Sequence, residues 1–217
     1  MLVPHPRYVL DYAGIDENRA GPLACSGLTA FSALHKIPPA GAGDPLLIIG
    51  AGGVGLMAIQ MAKALYPQAP LIVAEIDPVK AEAALAAGAA AVLDPREKES
   101  LTRLQREFGG VHAAFDFVGA ESTLQLAVKA LRRGGSAVVV GLFGGAFTLP
   151  IPMFPWNGIA VMGSYVGSLA ELTQLLALVQ SGKVAAIPVT LRPMAQASDA
   201  LADLKAGKVV GRTVLTV

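Results

Sequence analysis

Residues 46–65 read LLIIGAGGVGLMAIQMAKAL, and this stretch decides the fold. Four apolar residues lead into a turn that holds Gly50, Gly52, Gly53 and Gly55, and a helical apolar pattern follows the turn. Glycine destabilises regular structure unless the backbone must turn sharply or another group must approach it closely. The stretch therefore predicts a strand, a tight turn and a helix, with something brought close to the turn.

Apolar strands and amphipathic helices alternate on both sides of this turn. The predicted strands are 46–49, 71–74, 91–93, 113–118, 137–140 and 159–165, and the predicted helices are 19–36, 54–65, 78–87, 97–108, 122–131 and 169–181. The strands are continuous apolar runs, which is typical of a parallel sheet covered on both faces. The pattern predicts an α/β fold, a doubly wound Rossmann sheet of six parallel strands, with a strand–helix–strand tail over 187–217.

Composition restricts the classes of partner. The chain has 217 residues, of which 53% are hydrophobic and 15% charged, and its net charge is +1. It has no run of Lys or Arg that would favour nucleic acid, and no apolar stretch long enough to span a bilayer. Cys25 is the only cysteine, and residues 1–7 lack a signal-peptide pattern. We expect a cytoplasmic protein without a nucleic-acid or membrane partner.

The glycine turn matches G-x-G-x-x-G, the phosphate-binding fingerprint of dinucleotide folds. In such a turn Gly50 permits the sharp bend, Gly52 leaves room for a pyrophosphate, and Gly55 lets the helix pack on the strand. Glu75 ends the next predicted strand, where a carboxylate can accept hydrogen bonds from both adenosine ribose hydroxyls. Context as well as motif therefore predicts that the chain binds NAD, and Glu75 favours NAD over NADP.

At this point the chain resembles the zinc-dependent medium-chain alcohol dehydrogenases. The similar runs are PLACSGLTAFSAL (22–34), VVVGLFGG (138–145), VMGSYVGSLAEL (161–172) and GKVVGRTVLTV (207–217), in the family's order. The resemblance covers almost the whole chain but only the later part of the family's sequence. It implies cofactor contacts at Thr29, Gly50, Gly52, Gly53, Val54, Gly55, Glu75, Ile76, Lys80, Phe117, Val118, Val140, Gly141, Leu142, Ser164, Val166 and Arg212.

The same resemblance implies an incomplete zinc site. Cys25 stands where the family has one ligand of the catalytic zinc, but the N-terminal catalytic domain that supplies the others has no counterpart here. We therefore expect residues 1–36 to be a hinge segment and helix from that domain, 37–182 the NAD-binding domain, and 183–217 a tail that returns to the catalytic domain. Zinc would bind only when that domain is supplied. Turnover of an alcohol or carbonyl substrate would need it too, so this chain alone is expected to be inactive.

Several residues have plainer interpretations. His5, His35 and His112 show no ligand spacing and are predicted to be surface residues. Asp116 could contact the cofactor or hold the neighbouring loop, and we favour the structural role. Two further functions stay open: a stand-alone NAD-binding module without turnover, and a zinc-free quinone or enoyl reductase relative, against which Cys25 argues.

The last predicted strand, 159–165, should lie at an edge of the sheet. An apolar edge strand invites pairing with a second copy of the chain, and the resemblance implies dimerisation through this strand. The proline-rich run 150–155 and Trp156 would pack beside it. We expect a homodimer.

Overall fold

A computed structural model describes residues 3–217. Met1 and Leu2 lie outside the described residues. They belong to the predicted segment 1–36 and to residues 1–7, which lack a signal-peptide pattern. The strands are β1 (Leu46–Ile49), β2 (Leu71–Ala74), β3 (Ala91–Leu93), β4 (Val111–Asp116), β5 (Leu131–Val139), β6 (Ala160–Gly163), β7 (Val189–Pro193) and β8 (Arg212–Thr216). The helices are α1 (Glu17–Pro22), α2 (Leu28–Leu34), α3 (Gly53–Leu65), α4 (Pro78–Ala86), α5 (Ser100–Phe108), α6 (Glu121–Ala130), α7 (Met153–Asn157), α8 (Leu169–Gln180) and α9 (Ala197–Lys205).

The predicted six-stranded parallel sheet is confirmed. Its strand order is β3-β2-β1-β4-β5-β6, and all five neighbouring pairs are parallel. The chain leaves β1 first towards β2 and β3 and later towards β4, so the order reverses between β1 and β4. In doubly wound sheets the crevice outside the carboxyl ends of the strands at such a reversal is where ligands bind.

Helices cover both faces of the sheet. Along β1 the side chains alternate between two buried clusters: Leu46 and Ile48 pack with α2, α3 and α8, and Leu47 and Ile49 pack with α5 and α6. All four residues are at most 2% exposed. This two-sided burial explains why the strand sequence is apolar throughout and does not alternate with polar residues.

The fifth strand begins earlier than the sequence suggests. As helix-ending residues, Gly134 and Gly135 predict the close of helix 122–131, but α6 ends at Ala130 and both glycines lie inside β5. The pairing of β4 with β5 shifts register between Val111 and Ala113, and a Cβ on Gly135 would lie 3.0 Å from the Val111 carbonyl oxygen. Glycine therefore marks a close backbone approach at a strand irregularity here, and not a helix end.

The first predicted helix is interrupted. Residues 19–36 contain the end of α1, a π-helical turn (Leu23–Gly27) and α2. Pro22 has no N–H to donate along the helix, and the Ser26 hydroxyl donates to the Pro22 carbonyl at 2.8 Å. The widened turn places Cys25 on its exposed side and buries Ser26.

The tail forms strand, helix and strand as predicted. Strands β7 and β8 make a separate two-stranded parallel sheet, connected through α9. Arg212 is the first residue of β8, and its N–H donates to the Pro188 carbonyl at 3.0 Å. Within residues 3–217 no helix is long and apolar enough to cross a membrane.

Candidate functional site

The glycines of the turn after β1 have three different surroundings. Gly50 has φ +88°, and a Cβ there would lie 2.8 Å from Val118 Cγ2 at the end of β4. A Cβ on Gly55 would overlap the Gly50 carbonyl oxygen. Gly52, in contrast, would direct a Cβ into space where no atom of the described chain lies within 4 Å. Gly50 and Gly55 are thus needed for the fold, and Gly52 leaves an opening at the turn.

The opening lies at the N-terminus of α3, a helix of 13 residues. Gly52 is the N-cap, and no side chain in the described part of the sequence hydrogen-bonds to this helix start. The first N–H groups of a helix lack partners within the helix and carry partial positive charge, so they attract anions. The turn therefore has the geometry and polarity of a phosphate-binding site.

Arg212 places a positive charge beside this helix start. A Cβ on Gly53 would lie 2.5 Å from Arg212 Nε, so only glycine lets the side chain lie here. None of the salt bridges formed among residues 3–217 involves Arg212. Burial lowers the pKa of this guanidinium, although it stays charged at neutral pH. A partly buried cation without an acidic partner is suited to an anionic ligand.

Ser26 holds this arginine and was not identified from the sequence. Arg212 Nε donates to Ser26 Oγ at 3.1 Å, and Ser26 is 1% exposed. The two residues are 186 positions apart, and no local pattern links them. Ser26 lies in the π-helical turn (Leu23–Gly27), and its contact with Arg212 depends on the tertiary structure because it joins the two ends of the chain.

Glu75 is fixed by three backbone N–H groups. Its Oε2 accepts from Ala51 N at 2.6 Å, and its Oε1 accepts from Ile76 N at 2.8 Å and from Asp77 N at 3.0 Å. Because Ala51 belongs to the glycine turn, the carboxylate ties the end of β2 to the end of β1. With two acceptor positions on each oxygen, Oε2 keeps capacity for a further donor. Lys80 faces Asp77, with Nζ 3.9 Å from Oδ2.

The ends of β4 and β5 form the next part of the crevice wall. Asp116 is fully buried; its Oδ1 accepts from Val118 N at 3.0 Å and from Gly119 N at 2.9 Å, and its Oδ2 accepts from the Thr123 hydroxyl at 2.9 Å. These bonds confirm the structural role that we favoured for Asp116. Gly141 packs directly against the backbone of Val118 and Gly119. Phe117 and Val140 are partly buried against the core cluster that also contains α2 and α3.

The loop after β6 has two unusual residues. Val166 has φ +50°, a conformation that is an outlier for a β-branched side chain. The Ser164 hydroxyl is buried and finds no hydrogen-bond partner in the part of the chain that the structure describes. The hydroxyl therefore is not exposed in the crevice, whereas Leu142, in the loop after β5, is 81% exposed. A Cβ on Gly167 would lie 2.7 Å from Leu28 Cδ1, so this loop contacts the helix that carries Thr29.

The predicted metal ligand has no partners. Cys25 is an exposed free cysteine, and residues 3–217 contain no group of three or more His, Cys, Asp or Glu side chains that could hold a metal ion. The donor set within the described residues therefore does not fit zinc, which needs about three protein ligands in a catalytic site.

Two of the three histidines lie where the sequence predicted. His5 and His35 are exposed. His112 is only 16% exposed in its side chain, so the prediction of a surface residue is wrong there. Its Nδ1 lies 3.1 Å from Arg132 Nη2, and Arg132 in turn pairs with Asp44. This cluster lies at the amino-terminal ends of β1 and β4, whereas the glycine turn lies at their carboxyl-terminal ends.

Comparison with known proteins identifies similar chains. The family model for zinc-binding dehydrogenases matches residues 53–181. An NAD-dependent alcohol dehydrogenase of Saccharolobus solfataricus is 34% identical over 221 residues, which cover 99% of this chain and 62% of that protein. A D-arabinose 1-dehydrogenase (NADP(+)) of the same organism is 30% identical, with 100% and 62% covered. The chain thus spans less than two thirds of the length of these relatives.

A solved structure has the same fold. The crystal structure of the alcohol dehydrogenase from Aeropyrum pernix superposes with a TM-score of 0.83 at 31% identity, covering 92% of this chain and 58% of that one. The match covers 92% of this chain, far more than the 20 residues around the glycine turn. The likeness therefore extends well beyond the glycine motif.

Proposed function

The chain belongs to the zinc-binding dehydrogenase family, and we propose that it is the NAD-binding part of an alcohol dehydrogenase-like oxidoreductase. One observation carries the proposal: no atom of residues 3–217 fills the space in front of Gly52, and the uncapped start of α3 and the partly buried Arg212 lie beside that space. A pyrophosphate supplies the negative charge and the acceptors that this arrangement lacks. When bound, NAD supplies the carbon that accepts or donates hydride in such enzymes.

The chain's own residues would hold the two ends of the cofactor. Glu75, fixed by Ala51 N, would accept a hydrogen bond from the adenosine ribose, with Ile76 and Lys80 beside it. Phe117 and Val118 would line the adenosine side. The remaining positions would run along the nicotinamide: Thr29, Val140, Gly141, Leu142, Ser164 and Val166. For Ser164 the backbone is the better candidate, because its hydroxyl is buried.

The division of the chain is also part of the proposal. Segment 1–36 and tail 183–217 would pack on a catalytic domain, and 37–182 would form the cofactor domain. The two-stranded parallel sheet β7–β8 supports this division, since so small a sheet usually needs further strands or packing for stability. An alcohol or carbonyl substrate and a closed zinc site with Cys25 would require that domain. A cytoplasmic location stays a prediction from the sequence.

Two alternatives have their own discriminating observations. A stand-alone module would bind NAD but would gain no turnover when a catalytic domain of the family is added. A zinc-free quinone or enoyl reductase relative would show turnover with such substrates and would not depend on Cys25. Alcohol oxidation that is regained with the added domain and lost in Cys25→Ser favours the proposed function over both.

Cofactor binding is tested on Arg212. We expect the purified chain to bind NADH and Arg212→Gln to bind it about ten- to a hundredfold more weakly, because a charge-assisted hydrogen bond contributes about 1.5–3 kcal/mol. Titration calorimetry measures both dissociation constants. Arg132→Gln, at the amino-terminal ends of the strands and away from the glycine turn, is the control for loss of an arginine. It should bind NADH as the unaltered chain does. A folded chain that binds no NADH at millimolar concentration would contradict the proposed function.

Glu75 should make the chain prefer NADH. A 2′-phosphate would meet this carboxylate, and two unit charges 4 Å apart repel by about 4 kcal/mol at an effective dielectric of 20. Lys80 offsets part of this repulsion, so we expect NADPH to bind at least about tenfold more weakly than NADH. Glu75→Gln should reduce the ratio of the NADPH and NADH dissociation constants, and Glu75→Arg should reverse the preference. Equal dissociation constants for the two cofactors in the unaltered chain would refute the assignment.

Strand β6 is at the sheet edge, as predicted, and we propose that it pairs with a second copy of the chain. Trp156 and Ile151, which precede β6 in the sequence, are 73% and 81% exposed and offer apolar surface to a partner. We expect a dimer by light scattering at tens of micromolar and a monomer for Trp156→Glu. Leu201→Glu, at an equally apolar exposed site on α9, should remain dimeric. A monomeric unaltered chain would count against the pairing.

A further inference from the structure

A second charged pair lies at the adenosine end of the crevice. Asp94 follows β3 directly, and Arg96 turns back onto it with a two-pronged contact. Arg96 Nε donates to both carboxylate oxygens, at 2.9 and 3.0 Å, and Nη2 donates to Oδ2 at 2.6 Å. The backbone N–H of Arg96 also donates to Asp94 Oδ1 at 2.9 Å. Each oxygen of the Asp94 carboxylate thus accepts two hydrogen bonds from Arg96.

The same arginine reaches the segment that would face the ribose. Arg96 Nη2 donates to the Ile76 carbonyl oxygen at 2.9 Å, one residue beyond Glu75. The backbone supports this neighbourhood, because Glu75 N donates to the Leu93 carbonyl oxygen at 3.1 Å. The guanidinium therefore lies at the backbone of the residue that follows Glu75, the carboxylate that the proposed function assigns to the ribose.

Two of the three carboxylates at this end of the crevice have a cationic partner. Asp77 faces Lys80, and Asp94 faces Arg96, while Glu75 has no cationic side chain within salt-bridge distance among the described residues. Hydrogen bonding to Arg96 lowers the pKa of Asp94, so this carboxylate is ionised at neutral pH. The Arg96 side chain is 65% exposed, so its guanidinium is accessible to a ligand from solvent.

We infer that Asp94 is a specificity-determining residue: it neutralises Arg96 and so keeps a cation away from the 2′ position of the cofactor. This inference rests on the proposed function and deepens it. Removing the Asp94 charge leaves Arg96 in place beside Ile76 with its charge free. A planar guanidinium with free donors is the side chain best suited to a phosphate monoester. The chain would then accept a 2′-phosphorylated dinucleotide although Glu75 is unchanged.

The test compares NADH and NADPH on four proteins. Asp94→Asn keeps an acceptor oxygen for the Arg96 backbone, removes the charge, and replaces the oxygen that accepts from Arg96 Nη2 by an NH2 group, which frees that donor. We expect it to raise the affinity for NADPH about tenfold, the effect of one additional charge-assisted contact, and to leave the affinity for NADH within about twofold. In Asp94→Asn combined with Arg96→Gln the gain should disappear. Asp203→Asn removes a carboxylate from a similar arginine pair in the tail, with Arg192 Nη2 at 2.6 Å, and should leave both affinities unchanged.

The outcomes distinguish the role of Asp94 from the proposed binding of NADH. An unchanged NADPH affinity in Asp94→Asn, with NADH binding intact, would overturn the inference and leave the proposed function standing. A gain that persists without Arg96, or that Asp203→Asn reproduces, would show a general charge effect and would overturn it as well. Failure of the unaltered chain to bind NADH would contradict the proposed function, and with it the inference that rests on it.

Discussion

Gly55→Ala is expected to destabilise the chain by more than about 3 kcal/mol, at the upper end for an overpacked site. A methyl group at this position would overlap the Gly50 carbonyl oxygen, which belongs to the turn itself and cannot rotate away as a flexible side chain would. The strand β1 and the helix α3 would have to separate, although alanine favours the helix by about 1 kcal/mol. Urea unfolding followed by circular dichroism measures the loss.

Gly52→Ala is the matched control, and it should affect binding more than folding. Gly52 has φ −69°, and no atom in residues 3–217 would contact its Cβ. Its cost is that of replacing Gly by Ala at an N-cap, about 1 kcal/mol. The added methyl would occupy the space proposed for the pyrophosphate, so NADH should bind at least about tenfold more weakly. If Gly52→Ala binds NADH as tightly as the unaltered chain, the cofactor does not lie against this turn.

The 217-residue chain alone is expected to bind NADH and to show no measurable alcohol oxidation. Cys25 is exposed, and residues 3–217 bring no second and third ligand to it. Zinc held by one thiolate would be bound weakly, and without bound zinc the family's means of stabilising a developing alkoxide is lost. The substrate would also be neither oriented nor shielded from water.

Metal analysis and an NADH-formation assay on the same purified sample test this expectation. The intact NAD-dependent alcohol dehydrogenase of Saccharolobus solfataricus, which is 34% identical to this chain, serves as the positive control in the same assay. Tightly bound stoichiometric zinc with steady turnover, in a sample whose mass matches these residues alone, would show that the chain is a complete enzyme.

The sequence by itself determined the order and type of the sheet strands. Strands 46–49, 71–74 and 91–93 were predicted to the residue, because two-sided burial makes them uninterrupted apolar runs between clear turn residues. The glycine turn was equally readable, since φ +88° at Gly50 and the overlap at Gly55 would strain any residue with a side chain. Glu75 could be recognised from its place at the end of β2. These features are local, and local chemistry specifies them.

Only the tertiary structure decided which distant groups meet at that turn. Arg212 lies beside Gly53 because β8 begins there. Its hydrogen-bond partner Ser26 is 186 positions away, in the π-helical turn that follows Pro22. The pairing of Asp94 with Arg96 is local, but its approach to Ile76 depends on β2 and β3 lying side by side. The glycines of β5 were misassigned for the same reason: their close approach to β4 is a contact between strands. Sequence periodicity reports which face of an element is buried, whereas the partner that covers it is set by packing across the whole chain.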